Sequence, residues 1–134
     1  MIKKHLGDIE YRFGTYGPGY SIRGPRTDLG VCQLFPGDDA TNHYHAHIEE
    51  TFVVLEGEAT LWVDGRTSYT CTVGDVYQME PGEQHYFVNN SDSVFRALFI
   101  KAPYDPNDGV PVPWTPGEPL PELAPGRIET LENN

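Results

Sequence analysis

The sequence predicts an all-β domain, a sandwich or barrel of short strands. Three observations carry that expectation. Apolar-rich runs of about five residues recur from Leu29 to Lys101, each stopped by Gly, Pro, Asn or Asp. No window of about 11 residues repeats its apolar positions with the 3.6-residue period of a helix. The 8 Tyr and 6 Phe in the chain suit a pleated, half-buried surface.

Taken in order, residues 1–25 begin polar and turn glycine-rich through Phe13-Gly14-Thr15-Tyr16-Gly17-Pro18-Gly19-Tyr20. Such a stretch cannot hold a helix and reads as a loop or extended N-terminal arm. The barrel is expected over residues 26–102. Gly30–Phe35 is an apolar-rich run stopped by Pro36-Gly37-Asp38-Asp39. Glu50–Leu55 and Glu58–Val63 flank Glu56-Gly57, which reads as a hairpin. Asp64-Gly65 is a second hairpin signal, favouring a tight primed turn. Tyr69–Val73, Asp75–Met79, His85–Val88 and Val94–Ile100 complete the set.

Residues 103–134 differ in character, with 8 of the chain's 12 prolines falling between Pro103 and Pro125. Proline supplies no N–H to a sheet, so this C-terminal extension is expected to be extended rather than a central strand. Tyr104, Val110, Val112, Trp114, Leu120 and Leu123 are too many apolar groups for a solvated tail. A stiff arm that packs over the barrel or over a neighbouring subunit is the expectation.

A length of 134 residues suits one domain with its own core. The net charge of −11 repels phosphate backbones and anionic lipid, which argues against nucleic-acid and membrane partners. Cys32 and Cys71 lie in apolar alternating stretches and read as buried free thiols. No run approaches the roughly 18 apolar residues of a membrane span. The Lys3-Lys4 start lacks the apolar core of a signal peptide, so a cytoplasmic protein is expected.

Two glycine-bounded segments carry the chemistry. The first reads Gly37-x5-His43-x-His45-x4-Glu50-x6-Gly57, and the second Gly74-x5-Glu80-Pro81-Gly82-x2-His85-x3-Asn89. Neutral imidazoles and a carboxylate are donors that divalent transition ions prefer. Strand alternation puts His43 and His45 on one face. Glu50 follows after a short turn, and His85 arrives from a later hairpin, within reach once the strands pair. Two ambiguities stand: His45-x-His47-x2-Glu50 is a second possible set, and Glu49 competes with Glu50. Elsewhere there is no Gly-x-Ser-x-Gly elbow, no phosphate-binding Gly-x-x-x-x-Gly-Lys loop and no dinucleotide fingerprint, so any chemistry falls to a metal.

These paired segments resemble the two motifs of the cupin superfamily over roughly residues 28–101. Gly37, His43, His45, Glu50 and Gly57 match in the first, and Gly74, Gly82, His85 and Asn89 in the second. The family's usual proline is one place late, with Glu80 in its position and Pro81 following. The resemblance implies a double-stranded β-helix or jelly-roll barrel. It implies His43, His45, Glu50 and His85 as ligands of one divalent transition metal ion, whether iron, manganese, nickel, cobalt or zinc. Asn89 would hold a supporting role. His43 gives the better family spacing, which leaves His47 on the turn as an alternative ligand or proton shuttle. Phe52, Val54, Trp62 and Phe87 are candidates for an apolar pocket wall, with ordinary core packing the favoured reading of each. Arg96 is expected at the surface; turned inward, it would instead clamp a substrate carboxylate bidentately.

Relatives in such a family include dioxygenases, oxalate-type decarboxylases, lyases and sugar isomerases, and fold alone does not choose among them. The leading expectation is a metal-dependent enzyme acting on a small polar organic molecule by oxygen-dependent or lyase-type chemistry. A non-catalytic module that binds a small ligand is a second. A sugar or sugar-phosphate isomerase is a third, though only 9 Lys and Arg are available to hold a phosphate. The arm and the Pro-Trp-rich tail suggest docking across a symmetric homodimer interface.

Overall fold

Strands β1 (Gly17–Arg23), β2 (Asp28–Leu34), β3 (Asp39–His45), β4 (Glu49–Glu56) and β5 (Ala59–Val63) come first in the chain. They are followed by β6 (Thr67–Cys71), β7 (Val76–Met79), β8 (His85–Val88), β9 (Phe95–Ala102) and β10 (Gly109–Pro111). The structure, a computed structural model, describes residues 1–128; the part of the tail reading that concerns residues 129–134 lies outside them. The strands form two five-stranded antiparallel sheets, ordered β1-β2-β9-β4-β7 and β10-β3-β8-β5-β6. Because the chain passes back and forth between them, the double-stranded β-helix expected from the two motifs is what forms.

Alternation decides the interior. Along β9, Phe95, Ala97 and Phe99 are buried while Arg96, Leu98 and Ile100 face the other way. The inward set meets Leu34, Phe52 and Val54 from the same sheet and Leu61 and Phe87 from the opposite one. Each such large side chain contributes about 1.5–3 kcal/mol by leaving water. Cys32 and Cys71 are free thiols in this core.

The corners separate local from non-local information. Asp64 and Gly65 both take positive φ, 55° and 65°, and the Arg66 N–H donates to Val63 O at 3.0 Å. That is the primed turn expected between β5 and β6. Glu56-Gly57 is not a hairpin. β4 pairs with β7 and β9, and β5 with β6 and β8, so Gly57 carries the chain from one sheet to the other. Its φ is 73°, and a Cβ there would stand 2.0 Å from Val94 O. The conformation that suits Gly in a hairpin therefore serves a crossing instead.

The glycine-rich end of the N-terminal arm is a strand. β1 pairs with β2 from Gly17↔Gln33 to Arg23↔Asp28, a contact that local composition does not disclose. The C-terminal extension runs over the second sheet. β10 pairs with β3 and forms the edge of that sheet, Trp114 packs on Trp62 and Tyr86 (centroids 5.7 and 6.0 Å), and Arg127 Nε donates to Asp64 Oδ2 at 2.6 Å. No helix among the described residues is long and apolar enough to cross a membrane.

Candidate metal centre

His43 and His45 on β3, His85 on β8 and Glu50 on β4 bring one donor atom each to within 4.8 Å of one another. Three come from the second sheet and Glu50 from the first, so the cluster lies between the sheets. A β-bulge sets the phase. Ala40 pairs with Phe87 and His43 with His85, so β3 carries one residue more than β8 over this stretch. Unbroken alternation from Ala40 would send Asn42 inward. The bulge sends His43 instead and leaves Asn42 to donate to Gln84 Oε1 and Val112 O, both at 3.0 Å.

The hydrogen bonds around the cluster prepare it for a cation. His43 Nδ1–H donates to Thr41 O at 2.7 Å, and His85 Nδ1–H donates to Glu83 O at 3.1 Å. Each ring thereby keeps its proton on the outer nitrogen and presents an Nε2 lone pair inward. His85 Nε2 is buried, lacks a hydrogen-bond partner, and lies 3.1 Å from Glu50 Oε1. His45 Nε2 lies 3.1 Å from the same oxygen. The His43 and His85 lone pairs and the buried Glu50 carboxylate leave an electron-rich space that a divalent ion fits. Burial, with His85 beside it, lowers the His43 pKa to about 3, so its imidazole is neutral and ready to bind metal. Burial alone would raise the Glu50 carboxyl, but the hydrogen bond with His45 and the Lys101 ammonium outweigh it and hold it well below its usual range.

The tail completes this arrangement through Asp108, which sequence reasoning missed. Its buried carboxylate accepts the backbone N–H groups of His47 (2.9 Å) and Ile48 (2.8 Å) and stands 3.8 Å from His45 Nδ1. The turn between His45 and Glu50 is thus held from the C-terminal extension. Its position 61 residues from His47 left no local signal to find it.

The cluster forms part of the wall of a cavity of about 590 Å³. Phe52 and Phe87 line it as expected, joined by Ile48 and Phe99. Lys101 also lines it, donating to Tyr20 Oη at 2.8 Å with its Nζ 3.9 Å from Glu50 Oε2. Arg23 and Arg12 belong to the same cavity.

The other candidate residues lie elsewhere, Val54 among them, which packs in the core and does not line the cavity. Arg96 is not the inward cation: Phe95, Ala97 and Phe99 set the inner face of β9, which gives that place to Lys101 and leaves Arg96 outward, 3.4 Å from Tyr11 Oη. Trp62 is not pocket wall but lies on the outer face under Trp114, because Leu61 takes the inward position. Asn89 does not reach the centre. It is fully buried, donates to Leu34 O (2.9 Å) and Ser93 O (2.8 Å), and accepts from Ser91, so it closes the loop ahead of β9. His47 is exposed and approaches Asp105 and Asp108 rather than the buried cluster. Glu49 is exposed as well, and it is Glu50 that joins the cluster.

Known proteins agree with this architecture. The structure resembles an uncharacterized protein with a double-stranded β-helix domain from Klebsiella pneumoniae, with a TM-score of 0.68 and 21% identity over 75% of this chain and 89% of that one. It also resembles a Cupin 2 conserved barrel domain protein from Salinispora arenicola, with a TM-score of 0.60 and 21% identity over 79% and 88% of the two chains. A third likeness is to a cupin-superfamily sugar phosphate isomerase from Silicibacter pomeroyi, with a TM-score of 0.61 and 24% identity over 75% of each chain. At these identities the likeness is one of fold. No curated protein matches the sequence. The family described as the Cupin domain matches residues 30–101, and since that is more than half of the 134 residues, the chain belongs to the cupin family.

Proposed function

We propose that this cupin is a metal-dependent enzyme acting on a small polar organic molecule by oxygen-dependent or lyase-type chemistry, decarboxylation included. The observation that carries the reading is the His85 ring, whose outer nitrogen is committed to Glu83 O while its inner nitrogen is buried, unpartnered and aimed at Glu50. His43, His45, Glu50 and His85 would hold the ion. A divalent ion bound there supplies Lewis acidity toward a substrate oxygen and, if it is redox-active, a path for electrons to O₂. Lys101 offers an ammonium beside the cluster to orient a substrate carboxylate. Phe52, Phe87 and Phe99 keep water from the reacting end. The same reading takes the protein to be a cytoplasmic homodimer. Light scattering at the mass of one 15.0 kDa chain would remove the dimer.

The test is elemental analysis of the purified protein, then oxygen-electrode and decarboxylation assays on a panel of small organic acids after reconstitution with iron, manganese, nickel, cobalt or zinc. We expect stoichiometric metal and turnover with at least one pairing. Metal without turnover on any substrate leaves a ligand-binding module, and absence of metal removes the reading.

One observation favours a second reading, sugar-phosphate isomerisation. Three of the nine Lys and Arg residues, Arg12, Arg23 and Lys101, line the cavity, so the cation supply that was thin in the whole chain is concentrated here. The neighbour from Silicibacter pomeroyi is described as a sugar phosphate isomerase. Interconversion of aldose and ketose phosphates without oxygen uptake would select this reading over the first.

A further inference from the structure

Charge is distributed unevenly over this molecule. The chain carries −11, yet its metal-ligand cavity holds as many cations as anions: Arg12, Arg23 and Lys101 against Asp28, Glu50 and Asp105. A divalent ion at the cluster would leave the cavity net positive, in a protein that is otherwise strongly acidic.

The anions there are largely committed. Glu50 faces His45 and His85. Asp28, whose side chain is 2% exposed, accepts the Gly24 N–H at 3.1 Å and faces Arg23 Nη2 at 3.6 Å. Asp105 accepts the Asn107 N–H at 3.1 Å. The cations retain donors. Lys101 Nζ donates to Tyr20 Oη at 2.8 Å and lies 3.9 Å from Glu50 Oε2, and an ammonium has three N–H groups. The Arg23 guanidinium stacks 3.9 Å over the Tyr20 ring, which fixes its plane while its edge N–H groups stay accessible. Arg12 is exposed, and among the described residues its guanidinium has no hydrogen-bond or ion-pair partner.

These groups form a track. Glu50, Lys101, Tyr20 and Arg23 succeed one another by contact, from a side chain 4% exposed at Glu50, through 12% at Lys101, to 44% at Arg23. Arg12, itself exposed, lines the same cavity from the N-terminal arm. Positive charge therefore occurs twice, once beside the metal ligands and once toward solvent.

We propose that the cavity selects a dianion: an acid whose first carboxylate, with an adjacent hydroxyl or carbonyl oxygen, lies at the metal and Lys101, and whose second anionic group, carboxylate or phosphate, is received by Arg23 and Arg12. The inference rests on the metal-dependent reading above and narrows its substrate class. Tyr20 couples the two ends, since its hydroxyl accepts from Lys101 and its ring seats Arg23. Arginine's fork suits either distal group.

Calorimetric titration of the full chain loaded with Zn²⁺, with metal content measured on the same sample, tests it. Two matched pairs serve as probes: malate against 2-hydroxybutyrate, and 3-phosphoglycerate against glycerate. All four share the α-hydroxy-carboxylate end, and within each pair only one member carries the distal anion. We expect at least one dianion to bind about 10-fold more tightly than its partner at low salt, with the ratio shrinking as salt rises. Arg23→Gln and Arg12→Gln should each lower that ratio. A preference for malate identifies a distal carboxylate, and a preference for 3-phosphoglycerate a distal phosphate. Stoichiometric metal with equal affinity within both pairs overturns this inference alone. So does a preference that survives undiminished in both arginine variants. A protein that takes up no metal overturns the metal reading and this inference with it.

Discussion

Glu50 is the one member of the ligand cluster contributed by the first sheet, and its carboxylate is only 3% exposed. Burying a carboxylate is expensive unless partners offset the lost hydration, and here His45 and Lys101 do so. Its neighbour Glu49 has the same chemistry but is exposed. Glu50→Ala should therefore weaken metal binding by more than the roughly 10–100-fold expected when only a supporting hydrogen bond is lost. Glu49→Ala should keep its metal, and elemental analysis of the two variants decides the point. A second consequence concerns the thiols. Burial, with Glu50 nearby, pushes Cys32 up to about 12, and burial pushes Cys71 up to about 11. At pH 8 only about one in 10⁴ of the first and one in 10³ of the second would be ionised, and the thiolate is the reactive form. A thiol-specific chromogenic reagent should find no reactive group in the native protein at pH 8 and two after unfolding. Fast reaction in the native state would contradict the burial of both.

Two residues of the C-terminal extension separate its roles. Asp108 holds the His47 and Ile48 amides and stands beside His45 Nδ1, so it acts on the ligand turn. Trp114 is buried against Trp62 and Tyr86 on the outer face of the second sheet, so it acts on stability. Asp108→Ala should lower metal affinity about 10–100-fold, as loss of a ligand's outer partner does. Trp114→Ala should destabilise the fold by about 3–5 kcal/mol and leave metal stoichiometry unchanged. Denaturant melts and metal titrations on both variants check this, and equal effects of the two on metal affinity would count against it. The same extension shows where sequence reasoning stops. Strands β2 and β4 to β9 were legible within a residue or two because period-two alternation and turn dipeptides are local signals. β1 was not, since Gly17-Pro18-Gly19 has the composition of a loop and becomes a strand only by pairing with β2. The convergence of His43, His45, Glu50 and His85 was legible from two spaced motifs. Lys101 was not, because β9 is apolar on both faces, and which face turns inward depends on the opposite sheet.

At the scale of the whole molecule, the centre lies between two sheets that are otherwise held together by apolar packing and by the chain's crossings. His43, His45 and His85 belong to one sheet and Glu50 to the other, so an ion bound to all four would fasten the sheets to each other. An unfolded chain has no such site, and binding to the native state alone adds RT ln(1 + [L]/Kd) to stability. At free metal about 1,000 times Kd this is about 4 kcal/mol, or roughly 10–15 °C in Tm for a chain of this size. Thermal melts with saturating metal and with chelator should differ by that order. Glu50→Ala should largely remove the difference, because losing the carboxylate from the other sheet raises Kd and shrinks that logarithmic term. Trp114→Ala should lower both melting temperatures and preserve the gap between them. If Glu50→Ala kept the full wild-type gap, the ion would be held by the second sheet alone, and a centre spanning the barrel would be ruled out.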